Sequence, residues 1–312
     1  MTRGKPSYPA AYVSDGARRD VFDPALKHYP YGLVKGPPRD RELAHEVETA
    51  RAPLLRRAVL AISHSVRDLV VLRGSVALAA WFPGRARRPH DIDLVVRDPS
   101  CEPGDRRARD LVSALREEVR LALEAADIEL HGDQITLDEI WTYERAEGRR
   151  LSFPWTLPSK HGAPFRDVVQ IDLVFSEPLQ DEPTLEPIGI DPRVASRETG
   201  YRDPLPGRSL WFASRSESLA WKLLWLQSDM HPQGKDLYDA VLLAEDSPLS
   251  LELARAVFNA KGERWRDLEL QLPAATWSGQ LEWDSFALEY PELAGPGAEA
   301  LIARLEAQLR WV

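Results

Sequence analysis

The stretch DLVVLRGSVALAAW, Asp68–Trp81, decides the fold. Its opening DLVVL is apolar and β-branched after the first residue, the composition of a buried strand. The Gly74-Ser75 pair then turns the chain into the Ala- and Leu-rich VALAAW, which reads as a helix. Upstream, RELAHEVETARAPLLRRAVLAISHSV (Arg41–Val66) places apolar residues at helical spacing. Downstream, beyond the loop FPGRARRPH, DIDLVV (Asp91–Val96) is a second strand. DRRARDLVSALREEVRLALEAA (Asp105–Ala126) reads as an amphipathic helix, and QITLDEIWTYE (Gln134–Glu144) and FRDVVQIDLVF (Phe165–Phe175) as strands. Strands mixed with helices imply an α/β or α+β lobe ending near Phe175.

Outside this region the chain changes character. Residues 1–40 carry Pro6, Pro9, Pro24, Pro30, Pro37 and Pro38 with little periodicity, as expected of an extended N-terminal arm. An α/β lobe is expected over 41–176. The Pro- and Glu-rich stretch 177–210 reads as a linker or lid. Residues 211–312 read as a helical lobe, because SRSESLAWKLLWLQSD, GKDLYDAVLLAED, LSLELARAVFNAKGERW and AEALIARLEAQLRWV repeat apolar residues every three or four positions.

With 312 residues and 44% apolar content, the chain can bury one large core or two modest ones. Its formal charge of −9 excludes a surface that wraps duplex nucleic acid by bulk attraction, so any such contact must be local. Cys101 is the single cysteine and cannot form an internal disulfide, which fits a reducing compartment. No apolar run reaches the roughly 18 residues needed to span a bilayer, and MTRGKPSYPAAYVSDG lacks the apolar centre of a secretory signal, so no membrane partner and a cytoplasmic location are expected. The 7 histidines show no zinc-binding spacing.

Three carboxylates concentrate the chemistry. In a strand, side chains two apart share a face, so Asp91 and Asp93 point together while Ile92 faces the opposite way. Asp172 interrupts the apolar run VVQIDLV, where an uncompensated carboxylate is costly. If the strands bring the three together, they form an all-oxygen site suited to Mg²⁺ or Mn²⁺, which bind substrate phosphates and keep waters. Gly74 lets backbone approach a ligand, and the N–H groups of the helix that Ser75 begins attract phosphate. Arg85, Arg87 and Arg88 lie in the loop before Asp91. ERAEGRR (Glu144–Arg150) is a second Arg-rich turn, expected to be a solvated surface. Only 7 of the 40 basic residues are Lys, yet Lys222 and Lys235 both fall in the C-terminal helices.

In order and spacing, GSVAL, Arg87, DIDLV and QIDLV resemble the nucleotidyltransferase superfamily, in the AbiEii-like branch that includes the MenT-type toxins. ESLAWK (Glu217–Lys222) and GKDLYD (Gly234–Asp239) resemble that branch's two helical motifs, so the likeness covers roughly residues 70–245. It implies an α+β fold, a nucleotidyltransferase-like mixed-sheet lobe followed by a helical C-terminal lobe, and an enzyme that transfers a nucleoside monophosphate from an NTP to an acceptor. Asp91, Asp93 and Asp172 would hold metal. Gly74, Ser75, Arg87, Lys222, Lys235 and Asp236 would hold the nucleotide, with Asp236 and Asp239 orienting Lys222 or the acceptor. tRNA is the leading acceptor, and an antitoxin protein is an implied partner. Pro89 stands where the branch has Ser or Thr, and Arg73 where it has a small or apolar residue.

Two other readings compete. The acidic balance suits a cationic small-molecule acceptor, as in nucleotidyltransferases that modify aminoglycosides. A degenerate, non-catalytic module that binds a protein partner is the second; the intact acid triad argues against it, and it gains most if Asp172 lies far from Asp91 and Asp93.

Overall fold

The computed structural model describes residues 18–22, 33–38, 40–126, 128–142, 146–157, 164–188, 208–229, 232–260 and 281–309. Within the expected arm, β1 (Arg18–Phe22) and β2 (Leu33–Pro38) pair antiparallel as a small separate sheet. The main sheet comprises β3 (Val70–Arg73), β4 (Asp91–Val96), β5 (Glu129–Leu130), β6 (Thr136–Thr142), β7 (Ala146–Leu157), β8 (Phe165–Val174), β9 (Thr184–Pro187) and β10 (Ser209–Phe212). Its order is β5-β7-β8-β4-β3-β10-β9, with β6 also paired to β7. The sheet is mixed: β4 runs parallel to β8 and antiparallel to β3, and β3 runs parallel to β10.

Two helices cover one face. In α1 (Arg41–Ser65), Asp40 caps the N-terminus by accepting from the N–H groups of Glu42 and Leu43. α3 (Arg106–Glu124) turns Leu111, Leu115, Val119 and Leu123 inward at helical spacing. They pack with Val70, Leu72, Ile92, Leu94, Val169 and Ile171 in one continuous core. The alternate residues Val71 and Val95 belong to a second core on the opposite face, shared with Leu78 of α2 (Gly74–Trp81). That second core is closed by α4 (Arg215–Ser228), α5 (Gly234–Asp246), α6 (Leu251–Asn259), α7 (Asp284–Glu289) and α8 (Ala298–Gln308). Period-two alternation in β3 and β4 therefore makes the sheet a shared wall between two helical layers.

Two segments depart from the sequence expectation, and part of a third lies outside the described residues. The stretch 177–210, read as a linker or lid, supplies β9 and the first two residues of β10, which extend the sheet beside β3. The Arg-rich turn ERAEGRR ends in the first residues of β7, a strand that pairs on both sides. β7 lacks alternation because nearly all of it is buried, and it contains Pro154, which normally argues against an interior strand. Pro154 is accommodated because its carbonyl accepts from His131 N at 2.9 Å, which aims its ring nitrogen to the same side, where β6 has ended and β5 only begins. The C-terminal part of LSLELARAVFNAKGERW beyond residue 260 lies outside the described residues. No described helix is long and apolar enough to cross a membrane.

Candidate active site

The register of the central strands builds the site. Asp93 of β4 sits directly opposite Asp172 of β8, and Asp91 opposite Gln170. One carboxylate oxygen from each of Asp91, Asp93 and Asp172 lies within 4.8 Å of the others. The three acids occupy the same face as Val71 and Val95, so they look toward α4 and α5. Burial, with Asp91 and Asp172 as like charges, pushes the Asp93 carboxyl up to about 7. Burial also opposes charge on Asp91, but Lys235, Arg87 and Arg150 outweigh it and hold that carboxyl below its usual range. Three converging oxygen donors, one of them held protonated up to about pH 7 by burial and like charge, fit a hard divalent cation.

Gly74 opens α2 with φ of 70°, a left-handed conformation that side chains resist. A Cβ there would lie 1.9 Å from Asp93 Oδ2. Glycine is required twice over, by its backbone and by the carboxylate against it. Ser75 is buried and its Oγ lies 3.3 Å from Asp91 Oδ1, so its hydroxyl is directed to the first acid of the triad. The role expected for it as a phosphate donor would require that bond to break.

A pocket lies over the acids, walled by Arg73, Gly74, Arg87, Trp221, Lys222, Trp225, Lys235 and Asp236 among others. Lys222 Nζ sits 2.7 Å from Asp236 Oδ1 and 2.9 Å from Asp239 Oδ2, and these acids hold its ammonium charged against the cost of burial. Asp239, fully buried, also accepts from Arg87 Nε and Nη2 at 3.1 Å each. Arg87 and Lys222, expected at phosphate, are therefore held by one carboxylate, and Asp239 acts on the site through them. Lys235 lines the pocket and makes no ion pair among the described residues. Ser218 Oγ, Trp221 Nε1 and Asp236 Oδ2 are buried without a hydrogen-bond partner among those residues.

The remaining loop arginines are spent elsewhere. Arg85 pairs with Glu245 at 2.9 Å, and Arg88 with Glu48 at 3.0 Å. His90 bridges Glu48 of α1 and Glu289 of α7, at 3.0 and 2.9 Å, and Tyr290 donates to the Arg88 carbonyl. This brace pins the start of β4, and hence Asp91, to helices on both sides.

Arg150 is the residue that sequence reasoning missed. Instead of a solvated surface group it is buried, and its Nε and Nη2 reach Asp172 Oδ1 and Oδ2 at 2.7 Å each. The available signal was Asp172 itself, because a carboxylate inside an apolar strand calls for a positive partner on a neighbouring strand. Arg73, which the sequence marks only as an irregularity before Gly74, places its guanidinium 4.9 Å from the centre of the Trp221 ring.

The arrangement brings together acids that could hold a metal, a glycine backbone that a phosphate could approach, and cations beside both. No individually curated protein matches the chain. The family model described as nucleotidyl transferase AbiEii toxin, type IV toxin–antitoxin system, matches residues 57–307. That span runs from α1 to α8, including the whole of the acid cluster and its helical cover. The chain belongs to the AbiEii family of nucleotidyl transferase toxins.

Proposed function

We propose that this nucleotidyltransferase holds Mg²⁺ or Mn²⁺ on its carboxylate cluster and transfers a nucleoside monophosphate from an NTP to tRNA, releasing pyrophosphate. The observation that carries the reading is the convergence of Asp91, Asp93 and Asp172 beneath Gly74, facing Lys222 and Lys235. It also weighs against the non-catalytic alternative, which would have gained most from an Asp172 lying apart. When bound, a divalent ion would neutralise charge on the transferring phosphoryl group.

The chain's own residues supply binding and orientation. The backbone at Gly74 lets a phosphate approach, and Lys235, with no ion pair among the described residues, directs its charge to the ligand. Lys222 is positioned by Asp236 and Asp239 on the opposite wall. Trp225, half-buried in the pocket wall, could stack against a base. NTP and tRNA occur together in the cytoplasm, where we place the protein, and the toxin–antitoxin family implies an antitoxin partner.

The test is incubation with each α-labelled NTP, Mg²⁺ and total tRNA, beside Asp93→Ala. Label on tRNA with the wild type alone is the expected outcome. Metal-dependent NTP binding without transfer would redirect the reading to a small-molecule acceptor, and absence of NTP binding would end it.

A further inference from the structure

Arg150 sits between two carboxylates. Asp93 of β4, Asp172 of β8, Arg150 of β7 and Asp138 of β6 lie directly opposite one another on successive strands. Their side chains therefore form one row across the face of the sheet that bears the acid cluster. Arg150 donates from Nε and Nη2 to the two oxygens of Asp172 at 2.7 Å each. On its other flank Asp138 is half-buried, and its Oδ2 accepts from Thr136 Oγ1 at 3.0 Å. Its Oδ1 accepts no hydrogen bond among the described residues. Burial pushes the Asp138 carboxyl up, and the charge of Arg150 opposes that rise.

What this row does for the site rests on the proposed metal-site reading. Whichever Asp172 oxygen faces Asp91 and Asp93 already accepts from Arg150, because both do. A cation placed on the three acids meets the guanidinium at that oxygen, and like charges so close repel. Releasing Arg150 from Asp172 with no other carboxylate beside it is costly, because its side chain is only 6% exposed. Asp138 removes that cost. Side chains directly opposite on neighbouring strands start about 5 Å apart, which a long Arg side chain covers by changing rotamer.

We infer that Asp138 is a second seat for the Arg150 guanidinium. Without metal Arg150 is forked on Asp172, and with Asp172 engaged by an ion it turns to Asp138. Asp138 is thus a positioning residue that acts on the metal site through Arg150.

The experiment measures Mn²⁺ affinity of the full chain without nucleotide, free Mn²⁺ being followed by electron paramagnetic resonance. Four proteins are compared: wild type, Asp138→Asn, Arg150→Gln and the double variant. Asp138→Asn is expected to weaken binding about tenfold, as does loss of a group that orients a metal ligand. In the Arg150→Gln background the same change is expected to shift affinity by less than about twofold, the limit of independent effects. Equal losses in both backgrounds would mean that Asp138 acts by its charge alone and would overturn the inference, as would wild-type affinity in Asp138→Asn. Either result leaves the metal site standing, whereas no Mn²⁺ bound by the wild type would overturn the site and the inference together. If circular dichroism shows that Arg150→Gln does not fold, wild-type crystals grown with Mn²⁺ decide. The guanidinium is then expected on Asp138, and finding it still forked on Asp172 overturns the inference.

Discussion

Gly74 shows how much one residue carries. Its positive φ, and the 1.9 Å that would separate an added Cβ from Asp93 Oδ2, mean that Gly74→Ala must displace the carboxylate. We expect transfer to fall by about 100-fold, the cost of misplacing a reacting group by an ångström. Labelled-NTP kinetics check this, and wild-type rates would show that Asp93 tolerates the shift. Glu217 carries a different signature. Burial pushes its carboxyl up to about 7, although the backbone N–H of Gln180 donates to it at 2.6 Å. Its folded value lies above the unfolded one, so its contribution is fully present below about pH 4.5 and lost as pH rises through 7. Glu217→Gln has no such loss. Its stability relative to the wild type is therefore expected to rise between pH 5 and pH 8, by up to about 3 kcal/mol. Urea midpoints at the two pH values measure the difference, and a constant offset would contradict it.

Between elements, the ties are buried ions. Asp239 on α5 holds both Arg87, in the loop before β4, and Lys222 on α4. Asp239→Ala strands Arg87 without its carboxylate and weakens the hold on Lys222. A loss of about 3–5 kcal/mol is expected from removing one partner of a buried pair. Equilibrium urea unfolding tests this, and a change below about 1 kcal/mol would mean the two cations find other partners. Arg51 on α1 and Asp167 on β8 form a comparable tie on the other face of the sheet, and the His90 brace links α1 to α7. β4, which bears two of the three acids, is thereby held by helices from both layers.

At the scale of the whole molecule, the sheet is shared. Val71, Leu78, Phe82 and Val95 are buried only because the C-terminal helices cover them, and β10 comes from beyond residue 208. A fragment ending at residue 176 would expose that apolar face and lose β9 and β10. It is expected to bind ANS and to lack the dispersed amide spectrum of a packed domain. A well-dispersed, ANS-negative fragment would show that the first core suffices alone. By itself the sequence determined the strand and helix of Asp68–Trp81, the shared face of Asp91 and Asp93, and the helical character of the C-terminal segments. These follow from side-chain periods of two and 3.6, which act over neighbouring residues. It did not determine β7, β9 and β10, whose strand character comes from partners across the sheet. Nor did it determine that Arg150 meets Asp172, 22 residues away, or that Arg87 meets Asp239, 152 residues away. Strand register and helix docking decided those pairings, because the desolvation of a buried charge can be offset only by whichever group the completed fold places beside it.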